Sequence, residues 1–173
     1  MANTYELINS TTVGAGTTPI IEFTSIPGTY TDLKLVLSLR SNQATTTDAA
    51  NMTFNDSATD YSGKYIQVSS DNSVVSGSFG STEISPCFID VADSTANTFS
   101  TSEIYIPNYA GSDYKSMSAE SAQENNSTGN AYKRISAGLW SNTAAITSIK
   151  FTLVLGTSYI QYSTAYLYGV KNA

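Results

Sequence analysis

The sequence feature that most constrains the fold is a strict alternation of side chains between Thr31 and Arg40. Leucine occupies every odd position from Leu33 to Leu39, whereas the even positions include Lys34 and Arg40. Successive side chains of a β-strand point to opposite faces, so this period of two collects the leucines on one side and the charges on the other. An α-helix would spread the same leucines around its circumference. The segment therefore predicts a half-buried β-strand.

The same alternation recurs from Ile149 to Leu155, and turn-forming residues such as Pro27-Gly28 separate the strand-like segments. About ten short strands at regular spacing are typical of a sandwich or a barrel. No segment has a convincing helical stripe, so the sequence predicts an all-β fold with little or no helix. The further strand candidates are Tyr5–Asn9, Ile20–Thr24, Asn51–Asn55, Lys64–Ser69, Phe88–Val91, Ser102–Ile106, Lys115–Glu120, Ile135–Trp140 and Ile160–Tyr168.

The length and two polar segments define the expected organisation of the chain. A chain of 173 residues predicts a single domain spanning 1–173. Residues 41–50 are polar and residues 71–86 are rich in Ser and Gly. We predict that both segments are surface loops, because strand patterns resume after each of them. No repeat of about 20–50 residues is visible, which argues against a solenoid or a propeller.

The residues that usually carry out catalysis are missing or scattered. The sequence contains no histidine, which removes the usual general base and the Ser-His-Asp arrangement. Its one cysteine, Cys87, cannot build a common zinc site or an intramolecular disulfide. A carboxylate pair could hydrolyse a glycosidic bond, but no spacing selects one, so we predict no enzyme and no catalytic, metal or cofactor-binding residues. The acidic candidates are Asp90, Asp93, Glu103, Glu120 and Glu124.

The charge balance restricts the possible partners. The formal net charge is −6, and the basic residues are scattered, whereas nucleic acid attracts a clustered basic face. We therefore predict no nucleic-acid partner. No apolar run approaches the ~20 residues of a membrane span, and the first residues do not resemble a signal peptide. These features predict no membrane association and synthesis in the cytoplasm.

Aromatic residues are the best candidates for a binding surface. The chain has 12 tyrosines and one tryptophan, and tyrosine suits both protein interfaces and sugar stacking. Each ring could instead lie at the edge of the core with its hydroxyl bonded to the backbone. Ala137 and Leu139 read as inward-facing, which would point Trp140 outward or mark a strand end, although we favour a place in the core or at a subunit interface for it. The candidate interface or glycan-stacking residues are Tyr105, Tyr109, Tyr114, Trp140, Tyr159, Tyr162, Tyr166 and Tyr168.

Four segments together resemble one family. They are YTDLKLVLSLRS at 30–41, EIYIPNYAGS at 103–112, AGLWSNTAAITSI at 137–149 and QYSTAYLYGV at 161–170. In sequence and order they resemble small virion structural proteins of tailed phages of aquatic bacteria, cyanophages included. The resemblance covers most of the chain and leaves the polar segments 41–50 and 71–86 as its variable parts.

The resemblance implies a fold and a role. The implied fold is an antiparallel β-sandwich of jelly-roll type, with about 8–10 strands. The implied role is a capsid decoration (cement) protein on the surface of the virion, a homotrimer that binds the major capsid protein and stabilises the assembled head shell. It implies no catalytic residues. The alternative is a module on a tail or capsid fibre that binds host glycan, but the chain lacks the coiled-coil or repetitive shaft sequence usual in fibres.

Overall fold

The computed structural model describes residues 4–126, 129 and 131–171. Within these residues the chain forms twelve β-strands and no helix. The all-β prediction is confirmed. The strands are β1 (Tyr5–Thr12), β2 (Ile20–Phe23), β3 (Asp32–Ser38), β4 (Asp48–Phe54), β5 (Tyr61–Val68), β6 (Val74–Ser78), β7 (Ile84–Ile89), β8 (Thr101–Ile106), β9 (Lys115–Gln123), β10 (Tyr132–Trp140), β11 (Ile149–Leu153) and β12 (Thr164–Val170).

The strands form two antiparallel sheets with jelly-roll topology. The large sheet has eight strands in the order β1-β12-β3-β8-β9-β10-β5-β6, and the small sheet has four in the order β2-β11-β4-β7. Without β5, β6, β9 and β10, the remaining strands give β1-β12-β3-β8 facing β2-β11-β4-β7. This interleaving of early and late strands across two sheets is the double Greek key of a jelly roll. The predicted sandwich type is therefore confirmed.

Two inserted hairpins account for the strands beyond the expected number of about ten. The β5–β6 hairpin and the β9–β10 hairpin extend the large sheet past β8. The prediction of a loop at 71–86 was wrong, because Val74–Ser78 pairs with β5 and Ile84 begins β7. The hairpin closes where the Ser69 amide donates to the Ser73 carbonyl at 2.9 Å.

The predicted loop at 41–50 is also shorter than expected. Strand β4 begins at Asp48, whose buried carboxylate accepts hydrogen bonds from the amides of Ala49, Leu155 and Gly156 at 2.8, 3.0 and 3.0 Å. A charged residue is stable at this strand end because backbone donors replace the water that it loses on burial.

The core lies between the two sheets and contains the alternating leucines. Leu33, Leu35, Leu37 and Leu39 are all fully buried and belong to one cluster. Each such leucine contributes about 1.5–3 kcal/mol of burial free energy. The inward face of Ile149–Leu153 joins the same cluster through Ile149 and Phe151, with Leu153 partly buried against it. The core strand predicted to reach Leu155 is therefore confirmed only to Leu153, since Leu155 lies beyond the strand and is exposed.

An arginine holds the inserted hairpins against the small sheet. Arg134 of β10 is buried, with its guanidinium 4.3 Å from the ring centroid of Tyr65 and 3.9 Å from that of Phe88. It donates to the Ser85 carbonyl at 2.9 Å and to Gln67 Oε1 at 2.7 Å. One side chain thereby connects β5, β7 and β10. Planar stacking and a fork of donors are what the guanidinium offers and an ammonium does not.

Candidate functional site: the outer face of the large sheet

The large sheet buries one face against the core and leaves the other, its outer face, open. The alternation of exposed and buried residues along β8, β9 and β10 shows which side chains point outward. Several of these outward residues are large and apolar, and a contiguous exposed apolar surface is unusual for a protein without a partner. The exposed large apolar residues on the outer face are Tyr5, Leu7, Ile66, Val68, Val74, Tyr105 and Ile135.

Four aliphatic side chains form an apolar patch on the inserted hairpins. Ile66, Val68, Val74 and Ile135 are 58%, 40%, 70% and 60% exposed. Ile66 lies directly opposite Ile135, and Val68 lies directly opposite Val74. Opposed residues of antiparallel strands place their Cβ atoms about 4.5–5.5 Å apart. The patch is therefore continuous across β10, β5 and β6.

A shallow groove of about 700 Å³ runs along this patch. Ile66 and Ile135 line it together with small side chains from the neighbouring strands. The small residues leave the isoleucines standing above the surface around them. The other residues that line the groove are Lys64, Tyr65, Ser76, Gly77, Ser78, Ser118, Ser136 and Ala137.

A second groove, of about 310 Å³, lies beside the first and is more polar. Ser118 and Ile135 line both grooves, so the two share a border. Lys34 and Glu103 form an ion pair of 2.8 Å within the second groove. Tyr5, whose ring centroid is 5.9 Å from Lys34 Nζ, adds an aromatic wall.

Glu103 and Glu120, two of the acidic candidates, are brought together in the second groove. They lie directly opposite each other on β8 and β9. Each is paired with a lysine, Glu103 with Lys34 at 2.8 Å and Glu120 with Lys133 at 3.1 Å. Both carboxylates lie on an open surface and are about half exposed. The arrangement offers charged hydrogen-bonding groups without a closed pocket for a reaction.

Tyr105 is held in place at the border of this groove. Its hydroxyl donates to the Asp32 carboxylate. That hydrogen bond, together with partial burial and the negative charge of Asp32, raises the pKa of Tyr105 to about 12. Tyr105 therefore stays neutral at physiological pH, with its ring available on the outer face.

Three tyrosines of the candidate set share the outer face. Tyr105 and Tyr168 lie on either side of Lys34, each in register with it. Tyr166 follows on the same face of β12, with its ring centroid 6.4 Å from that of Tyr168. Leu7 of β1 extends the row on the far side of Tyr168.

Three other candidates lie in the interior. Their burial corrects the assignment of Tyr109 and Tyr159 to a binding surface, and it agrees with the core position that was favoured for Trp140. Trp140 packs in the core with its ring centroid 5.7 Å from Phe54. Tyr109 is buried and its hydroxyl donates to the Pro27 carbonyl. Tyr159 is buried as well, and burial raises the pKa of its hydroxyl. Their rings cannot contact a partner in this conformation.

The direction of β10 is the reverse of the one predicted. Trp140 points inward, whereas Ala137 is exposed and Leu139 is only partly buried. The Trp140 ring packs beside Phe54 in the core, and its burial sets which residues of β10 point inward. Because the even-numbered residues of β10 point inward, the odd-numbered Ile135 points outward and is exposed.

The last two candidates are exposed but lie at opposite ends of the sandwich. Tyr162 is in the connection that precedes β12, where its amide donates to the Val13 carbonyl at 2.9 Å. Tyr114 directly precedes β9, near the end of β8. Because β12, β3, β8 and β9 are antiparallel in turn, the start of β12 and the start of β9 lie at opposite ends of the sheet along the strand direction. These two rings therefore belong to neither groove.

Other chemistry is sparse in the part of the chain that the structure describes. Residues 4–126, 129 and 131–171 contain no group of three or more Cys, Asp or Glu side chains arranged to hold a metal ion. The same residues form no helix of the length and apolarity needed to cross a bilayer. Cys87 is buried, and burial raises the pKa of its thiol to about 12. The thiol is therefore protonated and packed in the core.

No protein-family model and no curated protein matches the sequence. Among solved structures, the chain is similar to the crystal structure of Caenorhabditis elegans galectin LEC-6. The alignment covers 92% of this chain and 95% of that chain, with 11% sequence identity and a TM-score of 0.38. A likeness of this extent carries no argument about function.

Proposed function

We propose that the protein is a non-enzymatic structural component of a phage virion, a decoration protein that docks its outer face on the assembled head shell. The apolar patch of Ile66, Val68, Val74 and Ile135 is the observation that carries the docking surface. The resemblance of the four sequence segments to small phage virion proteins is the basis for placing the protein on a phage particle and for naming the major capsid protein as its partner. The capsid surface is then its location, after synthesis in the host cytoplasm.

The outer face has the size and composition of a protein interface. At about 4.8 Å between neighbouring strands, it is about 34 Å wide. With about seven residues per strand, its area is on the order of 800 Å², which matches the ~800 Å² that each partner contributes to a standard interface. Apolar residues beside charged groups are the usual composition of such a surface. Here the apolar patch on β10, β5 and β6 supplies the first, and the Lys34–Glu103 pair on β3 and β8 supplies the second.

Docking of this kind would stabilise the shell by mass action. A protein that binds the assembled lattice and not free capsid subunits shifts the equilibrium toward the lattice. Burial of the apolar patch supplies the free energy of binding, at about 25 cal/mol per Å² of apolar surface. The homotrimeric state is part of the proposal and follows from the resemblance alone.

The first prediction is that charge in the apolar patch weakens head binding. The variants Ile66→Lys and Ile135→Lys each bury an ammonium at the interface, and we expect each to lower affinity for decoration-free heads at least tenfold, about 1.4 kcal/mol. Val154→Lys is the matched control, because Val154 is 48% exposed in a loop outside the outer face. Co-sedimentation with heads measures binding, and equal binding by all three variants would contradict the proposal.

The second candidate function is recognition of host glycan by a tail or capsid fibre. The polar groove favours it, since Tyr5 and Tyr105 flank the Lys34–Glu103 pair and aromatic rings with charged groups suit sugar binding. A glycan array separates the two functions. Hits that disappear in Tyr105→Ala, together with head binding that survives Ile135→Lys, would support the fibre module in place of the decoration protein.

A further inference from the structure

Three of the four sheet edges carry features that prevent pairing with another chain. Strand β1 has a register shift between Leu7 and Asn9 and carries Glu6. Strand β2 has four residues and includes Glu22. Strand β7 contains Pro86, which has no amide hydrogen to donate. Bulges, short strands, charges and proline are the usual protections of exposed edges.

The fourth edge, β6, has five residues and carries no register shift, no charge and no proline. It lies at the end of the large sheet and pairs with β5 along its length without a register shift. Its sequence, Val74-Val75-Ser76-Gly77-Ser78, has no charge and no proline, and the strand is largely exposed. A regular, uncharged edge strand is a template for pairing with another strand.

The register shows which backbone groups of β6 point away from the sheet. The Phe79 amide donates to the Gly63 carbonyl at 3.1 Å, and the Ser73 carbonyl accepts from the Ser69 amide at 2.9 Å. The backbone N–H and C=O groups of successive residues in a strand point alternately to one side and the other. In β6 the odd-numbered residues therefore form their backbone hydrogen bonds with β5. The N–H and C=O groups of Val74, Ser76 and Ser78 therefore point to the open side.

We infer that β6 is a self-association edge, where a second copy of this chain pairs antiparallel through its own β6. A two-fold axis at Ser76 places Ser76 opposite itself and Val74 opposite Ser78 of the second copy. The two large sheets then form one continuous sheet, and their outer faces become one surface. This inference rests on the edge alone and does not require the proposed function. It gives a dimer in solution in place of the homotrimer that the resemblance implies, so sedimentation separates the two.

A second copy is the occupant that the sequence of β6 fits. A two-fold axis brings each residue near its own symmetry mate, so a charge near the centre would meet a like charge. No residue from Ser73 to Gly80 is charged. The same symmetry puts Val75, which is 40% exposed, opposite Gly77 of the second copy, which that copy's Tyr65 ring covers. The valine would therefore pack beside an aromatic ring, and no like charges would meet.

The test is a single cysteine placed at the axis. Opposed residues in a bonded antiparallel pair have Cα atoms about 5.5 Å apart, within the range of a disulfide. We expect Ser76→Cys to form a covalent dimer under mild oxidation, read on a non-reducing gel. The native Cys87 is buried and does not compete. Ser10→Cys is the control, because Ser10 is exposed on the opposite edge strand β1, and equal cross-linking of the two variants would overturn the inference.

Sedimentation velocity gives an independent readout on the protein without an added cysteine. We expect the unsubstituted chain to sediment as a dimer in the micromolar range. Ser76→Pro removes an outward amide hydrogen and should give a monomer with an unchanged circular-dichroism spectrum. An unsubstituted chain that is monomeric throughout that range, or a trimer that Ser76→Pro leaves intact, would overturn the inference.

Discussion

At the scale of single residues, the buried charges show how the fold holds polar groups in its interior. The Arg40 guanidinium donates to the carbonyls of Ala92, Ser94, Thr95 and Thr98 at 2.8–3.1 Å. One side chain therefore supplies partners for the connection between β7 and β8. Backbone carbonyls spread the positive charge and satisfy each donor, which makes burial of an arginine tolerable.

Asp90, directly after β7, carries a pH-dependent prediction. Burial raises the pKa of its carboxyl, and the Thr98 hydroxyl and Arg40 offset this only in part, while Glu124 adds to it. The folded state then binds the proton more tightly than the unfolded state, so the stabilisation is present at low pH and lost as the pH rises through the folded pKa.

The variant Asp90→Asn keeps a neutral side chain at every pH. The measured quantity is the free energy of unfolding of the variant minus that of the unsubstituted protein. We expect this difference to rise as the pH increases above about 4, the ordinary pKa of Asp, and to level off above the folded pKa of Asp90. Urea denaturation at a series of pH values measures the difference. A difference that stays constant or falls with increasing pH would show that ionisation of Asp90 does not destabilise the folded protein.

At the scale of elements, Arg134 fixes the inserted hairpins to the jelly roll. Removal of the guanidinium leaves a gap between Tyr65 and Phe88 and frees the Ser85 carbonyl. We expect Arg134→Ala to cost about 2–3 kcal/mol in urea denaturation. Arg134→Lys should recover only part of the lost stability, because an ammonium group is not planar, cannot stack on the two rings and cannot donate two parallel hydrogen bonds.

The neighbouring Lys133 is the matched control for that experiment. Lys133 is exposed and forms a surface ion pair of 3.1 Å with Glu120, a contact worth about 0–1 kcal/mol. Lys133→Ala should therefore leave stability nearly unchanged. If Arg134→Ala and Lys133→Ala cost the same, the guanidinium does not hold the hairpins.

Elements with a clean alternation were predictable from sequence, and others were not. The leucines of β3 fix its parity without any knowledge of its neighbours. Strand β6 gave no such signal, because Val74–Ser78 forms a strand only where β5 offers it a backbone partner. Strand β10 was assigned the wrong parity because its inward face combines Trp140 with the polar Arg134 and the small Gly138. Tertiary packing decides such cases.

At the scale of the whole molecule, the candidate site depends on register between distant segments. Ile66 and Ile135 are far apart in sequence and meet only because β5 pairs with β10. Tyr105 and Tyr168 likewise come to lie on either side of Lys34 through the pairing of β8 and β12 with β3. The tyrosine-rich composition indicated a binding surface, but it could not separate outer-face rings from the buried Tyr109 and Tyr159. Long-range pairing carries information that local patterns lack.

An image reconstruction of the phage particle would locate this chain and show which of its faces is covered. We expect jelly-roll density on the head, with the β5, β6 and β10 side of the outer face, including Ile135, against the major capsid protein. Density for this chain on the tail, or on the head with that face turned to solvent, would contradict the proposed function.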